Sequence, residues 1–261
     1  MLSFSALLCF IGVAISVLAT PSASEAGAPP AIPPAAVDLR PAMQKWGLET
    51  RPQGSRGTCS VFAITGALEY AVASKQKHGT LLSIEFLNWA GHKTANRTVD
   101  GGFFSELWNG FETYGVCPEK TLPYQTKFDS RFEPAEEVRN EAKKMQSLNL
   151  KVRWIKEWDV KTGMSDNQIL EIKRVLARKS PVCGGLRWPK QEQWSEDGVL
   201  QMRSQEEVFD GHSVLLVGYR DDPKEEGGGV FFIRNSGGNS RDGSLPYAYI
   251  RAYMNDAVWI R

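Results

Sequence analysis

The sequence predicts an α+β fold, with a helical lobe first and a sheet lobe after it. Three observations carry this expectation. Apolar residues in the first two thirds of the chain recur at three- and four-residue steps, the period of a helix face. After about residue 180 the pattern changes to short apolar runs, most of them bounded by Gly, Asp and Pro, as strands require. The chain has 261 residues, 42% of them hydrophobic, enough to bury a core as one unit or two small lobes. Helices early and strands late make α+β, and a cleft between two lobes is a usual place for a substrate.

The elements follow in chain order. Leu2 to Ala19 is an apolar run, followed by small residues with candidate cleavage points such as Ala26-Gly27-Ala28. Residues 1–28 therefore read as a secretory signal peptide, although no Lys or Arg precedes the run. The alternative is an uncleaved membrane anchor. Residues 29–36 form a Pro/Ala-rich linker, and the body spans residues 37–261. Val61, Ile64, Ala67, Leu68, Ala71 and Val72 mark a helix face, with Thr58 as its N-cap and Cys59 at its N-terminus. Further helices are expected over about 83–91, 104–114 and 166–179. Strands are expected over 181–188, 213–219, 230–234 and 248–252.

Charge and cysteine count narrow the function. With 31 basic and 30 acidic residues the net charge is +1, which argues against nucleic acid as a partner. Cys9 lies in the leader, leaving Cys59, Cys117 and Cys183. An odd count in an exported chain points to at least one free thiol. Cys117 and Cys183 can be two structural thiols or a pair.

A nucleophilic thiol needs its pKa lowered, and a helix N-terminus and a neighbouring imidazolium both do this. Of three histidines, His78 and His92 have polar neighbours and are expected at the solvated surface. His212 leads directly into the apolar run Val214-Leu215-Leu216-Val217, which would hold a general base rigidly. Asn235, at the end of Val230–Arg234, can orient that base, and Gln53 can offer an amide to a developing oxyanion. Taken singly, Asn235 reads as a turn residue and Gln53 as a loop residue.

Together these segments resemble the papain-like cysteine peptidases. Gln53-Gly54-Ser55-Arg56-Gly57-Thr58-Cys59-Ser60 resembles their nucleophile segment, and Val37-Asp38-Leu39-Arg40 the start of their mature domain. Leu82–Leu87, Asp100-Gly101-Gly102 and Leu122-Pro123-Tyr124 match further boxes. Gly211-His212-Ser213-Val214 and Ile233-Arg234-Asn235-Ser236-Gly237 are similar to the His and Asn boxes. The likeness runs from about residue 36 to the C-terminus, and the order Gln, Cys, His, Asn is the family order.

The resemblance implies a two-lobe fold with an antiparallel, barrel-like C-terminal sheet. It implies Cys59 as nucleophile, His212 as base, Asn235 as its orienter and Gln53 in the oxyanion hole. Gly101 and Gly102 would bind the substrate backbone. It implies a monomer acting on peptides or proteins with no metal or organic cofactor, exported, and without a membrane span once the leader is cut. A long inhibitory prodomain is not expected here. Two other readings stand beside it: a non-catalytic peptide- or protein-binding member of the fold, and a thiol acyltransferase with similar chemistry.

The sequence departs from the family pattern in four ways. Arg56 stands where the family usually has a disulfide cysteine, and Ser60 replaces the Trp after the nucleophile. Gly237 replaces the Trp that shields the His–Asn hydrogen bond, which implies a less firmly oriented imidazole. The intervals from Cys59 to His212 and Asn235 exceed the usual ~130–150 residues, so an insertion is expected at about residues 190–207. Asn96-Arg97-Thr98 also fits a glycosylation acceptor.

Overall fold

The computed structural model describes residues 32–238 and 242–261; the expected signal peptide and the first part of the linker lie outside them. In chain order the elements are β1 (Ala36–Asp38), α1 (Arg40–Lys45), α2 (Cys59–Gln76), α3 (Ile84–Ala95), α4 (Phe104–Tyr114), α5 (Glu136–Lys143), β2 (Val152–Lys156), α6 (Asp166–Ala177), β3 (Val182–Pro189), β4 (Val208–Asp221), β5 (Gly229–Arg234), β6 (Gly243–Pro246), α7 (Tyr247–Tyr253) and β7 (Met254–Ile260). The strands form one antiparallel sheet, ordered β2-β7-β3-β4-β5-β6, with β1 pairing on β4. The expected α+β class holds. β1 is an exception to the order of helices then strands: it joins the sheet through Val37 opposite Tyr219. The chain is tied there further upstream, since the Tyr219 hydroxyl donates to Pro34 O at 2.6 Å and Asp221 N to Ala35 O at 2.8 Å.

Helix α2 is more buried than its pattern suggested. Val61, Ile64 and Leu68 are sealed, but so are Ala63, Thr65, Glu69 and Tyr70 on other faces. A helix apolar nearly all round belongs in a core, and α2 packs on α3 and α4 on one side and on β3, β4 and β7 on the other. Gly66 allows this approach: a Cβ there would stand 3.0 Å from Leu215 Cδ2. Helix α3 begins where Ser83 Oγ accepts from Phe86 N at 3.0 Å, an N-cap that stabilises its first turn.

Two expectations need correction. Residues 248–252, expected as a strand, lie in helix α7. Tyr247, Ile250 and Tyr253 are all buried at three-residue steps, and Pro246 stands at the N-cap position with a φ of -58° that suits a helix entry. A short apolar run cannot by itself separate helix from strand. Thr58 does occupy the N-cap position of α2, but its hydroxyl makes no cap; it lies 2.7 Å from the Tyr124 hydroxyl instead. Its ψ of 17° is outside the extended region that a side-chain cap needs.

The core is continuous through helices and sheet, with a smaller satellite around Phe86, Trp89 and Cys117. Cys117 and Cys183 fall in these separate clusters and are free buried thiols. Among the described residues, no helix is long and apolar enough to cross a membrane.

Candidate active site

The N-terminus of α2 meets the edge of β4 at a cleft cavity of about 370 Å³. Cys59, Gly102, Gly185, His212 and Asp256 line it, with the exposed aromatics Phe103 and Trp158 at its rim. Cys59 is 8% exposed, and its thiol donates to Gly211 O at 3.7 Å. Burial pushes the thiol's pKa up; backbone N–H groups of Ser213, Ser60 and Cys59 itself, and the Ser213 side chain, pull it the other way.

His212 lies on β4 opposite Leu186 of β3, and Leu215 pairs with Arg234 of β5. Continuing that register places Asn235, the next residue, within diagonal reach of His212. Nε2–H of His212 donates to Asn235 Oδ1 at 2.9 Å, and the N–H of Gly237 donates to the same oxygen at 3.0 Å. The Gly237 N–H, which can only donate, fixes that end of the amide as oxygen, and the His212 Nε2 beside it therefore carries the hydrogen. Both residues are buried. Burial pushes the imidazole's pKa down, while Asn235 and the Glu192 carboxylate push it up.

Gln53 joins the same group. Its Nε2 donates to Arg56 O at 2.8 Å, and its Oε1 accepts from Ser236 Oγ at 2.9 Å. A Cβ built on Gly237 would lie 2.9 Å from His212 Cε1, 3.3 Å from Asn235 Oδ1 and 3.6 Å from Gln53 Oε1, so these three side chains converge on that glycine.

The two expected substrate-binding glycines differ. Gly102 lines the cavity. Gly101 is buried, with its N–H given to Asn88 Oδ1 at 3.1 Å and its carbonyl accepting from His92 Nε2 at 2.8 Å. Its φ of +76° and a would-be Cβ contact of 2.2 Å with Gly57 O exclude other residues there. His92 is therefore no surface residue. It lies on the inner face of α3, its ring meets Phe128, and burial lowers its pKa. Its polar neighbour Lys93 points outward to Glu133. His78 is exposed, as expected.

A family model described as papain family cysteine protease matches residues 33–258. The chain belongs to the papain family of cysteine proteases. Among solved structures it is similar to xylellain, a cysteine protease from Xylella fastidiosa, at 23% identity and a TM-score of 0.68 over 93% of this chain and 94% of that one. It is also similar to digestive procathepsin L 3 of Tenebrio molitor larval midgut, at 21% identity and a TM-score of 0.62 over 87% of this chain and 69% of that one. These likenesses establish the papain-like fold.

This papain-family protease fills its departures from the family pattern with its own contacts. Arg56, in place of a disulfide cysteine, is 6% exposed. It pairs with Glu85 at 2.5 Å and Asp100 at 2.9 Å, donates to Gln125 O, and stacks on Tyr124. Burial opposes its charge, but the hydrogen bonds it donates to Asp100 and Glu85 more than offset this and raise its pKa. Residues 190–207, where an insertion is expected, connect β3 to β4; there Trp194 bridges Leu200, and Val199 bridges Ser244 of β6. Trp188, Glu192, Ser236, His92 and Arg56 all support the site, and none was singled out for that from the sequence. Their value lies in contacts across long intervals, which no local pattern reports.

Proposed function

We propose that this cysteine protease hydrolyses peptide bonds through a Cys59–His212–Asn235 triad, with Gln53 and the Cys59 N–H as oxyanion donors. The observation that carries the reading is the His212–Asn235 hydrogen bond in a cleft shared with Cys59. With Nε2 committed to Asn235, Nδ1 is the ring atom left to take the thiol proton. Burial disfavours each charge alone, but a thiolate and an imidazolium formed together attract one another, so the pair titrates as a unit. The thiolate attacks the scissile carbonyl and forms a tetrahedral oxyanion. His212 then gives its proton to the leaving amine, and water, deprotonated by His212, releases the acyl group and restores the thiol.

Gln53 Nε2 uses one hydrogen on Arg56 O and keeps the second for the oxyanion. Gly102 presents its backbone to an extended substrate, and Gly101, fixed by Asn88 and His92, supports it from behind. The substrate is a peptide or protein. Export rests on the leader-like run at residues 1–28. N-terminal sequencing of the protein recovered from culture medium checks it: a start between about residues 20 and 37 agrees, and retention with Met1 points to an anchor.

The test of the chemistry is labelling with an epoxide-type cysteine-peptidase inhibitor. Stoichiometric modification of Cys59, lost in His212→Ala, and loss of turnover in Cys59→Ala are expected. A folded, reduced sample that takes no label between about pH 5 and 8 would favour the non-catalytic reading, which the upward push of burial on the Cys59 thiol also favours. Transfer of acyl groups to added amines in preference to water would favour the acyltransferase reading.

A further inference from the structure

Gly237 leaves the imidazole without a ring from its own box, yet His212 is only 8% exposed. The cover comes from another strand. The indole of Trp188, on β3, lies 4.6 Å centroid to centroid from the imidazole, at 51°. The β3–β4 register explains its position: Leu186 pairs with His212 but Trp188 pairs with Phe209, a slip of one residue. Such irregularities re-aim a side chain. Trp188 is itself 4% exposed and is held at its polar end, where Nε1–H donates to Glu192 Oε1 at 2.7 Å. The other Glu192 oxygen accepts from Trp194 Nε1 at 3.0 Å. Both indole N–H groups thus end on one carboxylate supplied by the β3–β4 connection.

We propose that Trp188, fixed by Glu192, is a positioning residue for His212: the indole keeps water off the imidazole and holds its orientation, while the carboxylate favours the imidazolium form. This inference rests on the peptidase reading of Cys59 and His212. The charged and titratable groups near His212 are few. Cys59 of α2 and Asp256 of β7 share its cavity, and Glu192 acts on it from the β3–β4 connection. Asp210, on His212's own strand, pairs with Arg187 of β3 at 2.7 Å, and Arg97 at the cavity rim pairs with Glu106. Burial and Glu192 act on the imidazole in opposite directions. Removing the cover and removing the charge should therefore move its titration in opposite directions. Glu192 stays exposed, so its effect should shrink with added salt, whereas that of Trp188 should not.

The experiment measures the alkylation rate of Cys59 by iodoacetate across pH, in the full folded chain, for wild type and three variants; this anionic reagent is attracted by the imidazolium, so its rate falls as His212 deprotonates and gives an alkaline limit. Trp188→Ala should lower the maximal rate about 10- to 100-fold and move the alkaline limit to higher pH, because water reaches the imidazole. Trp188→Phe should restore most of the rate, since a ring still covers His212. Glu192→Gln keeps an acceptor for the indole and should move the alkaline limit to lower pH, less so at high salt. If Trp188→Ala does not fold, the phenylalanine and glutamine variants decide. A reactive wild type whose pH limits are unmoved by these variants, or moved in the same direction by both Trp188→Ala and Glu192→Gln, overturns this inference alone. A wild-type Cys59 no more reactive than a free thiol overturns the peptidase reading and this one with it.

Discussion

Gly237 shows how little room surrounds the imidazole. The family's indole could not be restored by a single substitution, because even a methyl group would come within 2.9 Å of His212 Cε1. That distance is shorter than real Cβ contacts show, and the neighbour is a ring held by Asn235 on one side and Trp188 on another. Gly237→Ala should therefore displace His212 and leave the fold intact. We expect kcat/KM on a fluorogenic peptide to fall about 10-fold or more, with a melting temperature close to wild type. An unchanged kcat/KM would mean that the imidazole tolerates displacement and that its packing does not limit catalysis.

At the scale of elements, the Arg56 cluster joins the loop before α2, helix α3 through Glu85, and the α3–α4 connection through Asp100. Asp100 also accepts from Asn88 at 2.9 Å, which in turn holds Gly101. A disulfide would tie such segments covalently; here three buried or half-buried charges do it. Breaking a buried pair leaves an uncompensated charge, so Arg56→Met should cost about 3–5 kcal/mol, read by urea denaturation. It should also loosen Gly101 and raise KM for peptide substrates. Restoring one partner's neutrality, as in Arg56→Met with Glu85→Gln, should recover part of the loss. The same cluster marks the limit of the sequence reading. Helix α4 was legible to the residue, because its periodicity and the turn signals around it are local. Short boxes in a fixed order group Cys59, His212, Asn235 and Gln53 in the sequence, and the structure brings these four side chains to one place. Helix α7 reads as a strand because four apolar residues around Arg251, over 248–252, fit either period, and the short strand β1 carries no local signal because its partners are Gly218 to Arg220 on β4. Arg56 and Trp188 were visible as residues but not as partners.

At the scale of the whole molecule, α2 of the helical lobe and strands β3, β4 and β7 of the sheet meet at one cavity, and Asp256 of β7 is a carboxylate buried in its wall. Burial raises its carboxyl to about 6, against hydrogen bonding from Gly185 N at 2.7 Å and the attraction of Lys156. An unfolded aspartate loses its proton near 3.8. Between these two values the native state binds the extra proton, so stability should fall as pH rises through that window and then level off above about 6. Asp256→Asn keeps an oxygen for Gly185 N and removes the titration. The variant should match wild type near pH 4 and exceed it at pH 7 by something on the order of 1–3 kcal/mol. Urea unfolding at the two pH values measures the difference directly. Parallel pH dependences in the two proteins would mean that Asp256 stays ionised in the folded chain, hydrated from the cleft, and that the cavity floor is wetter than its burial implies.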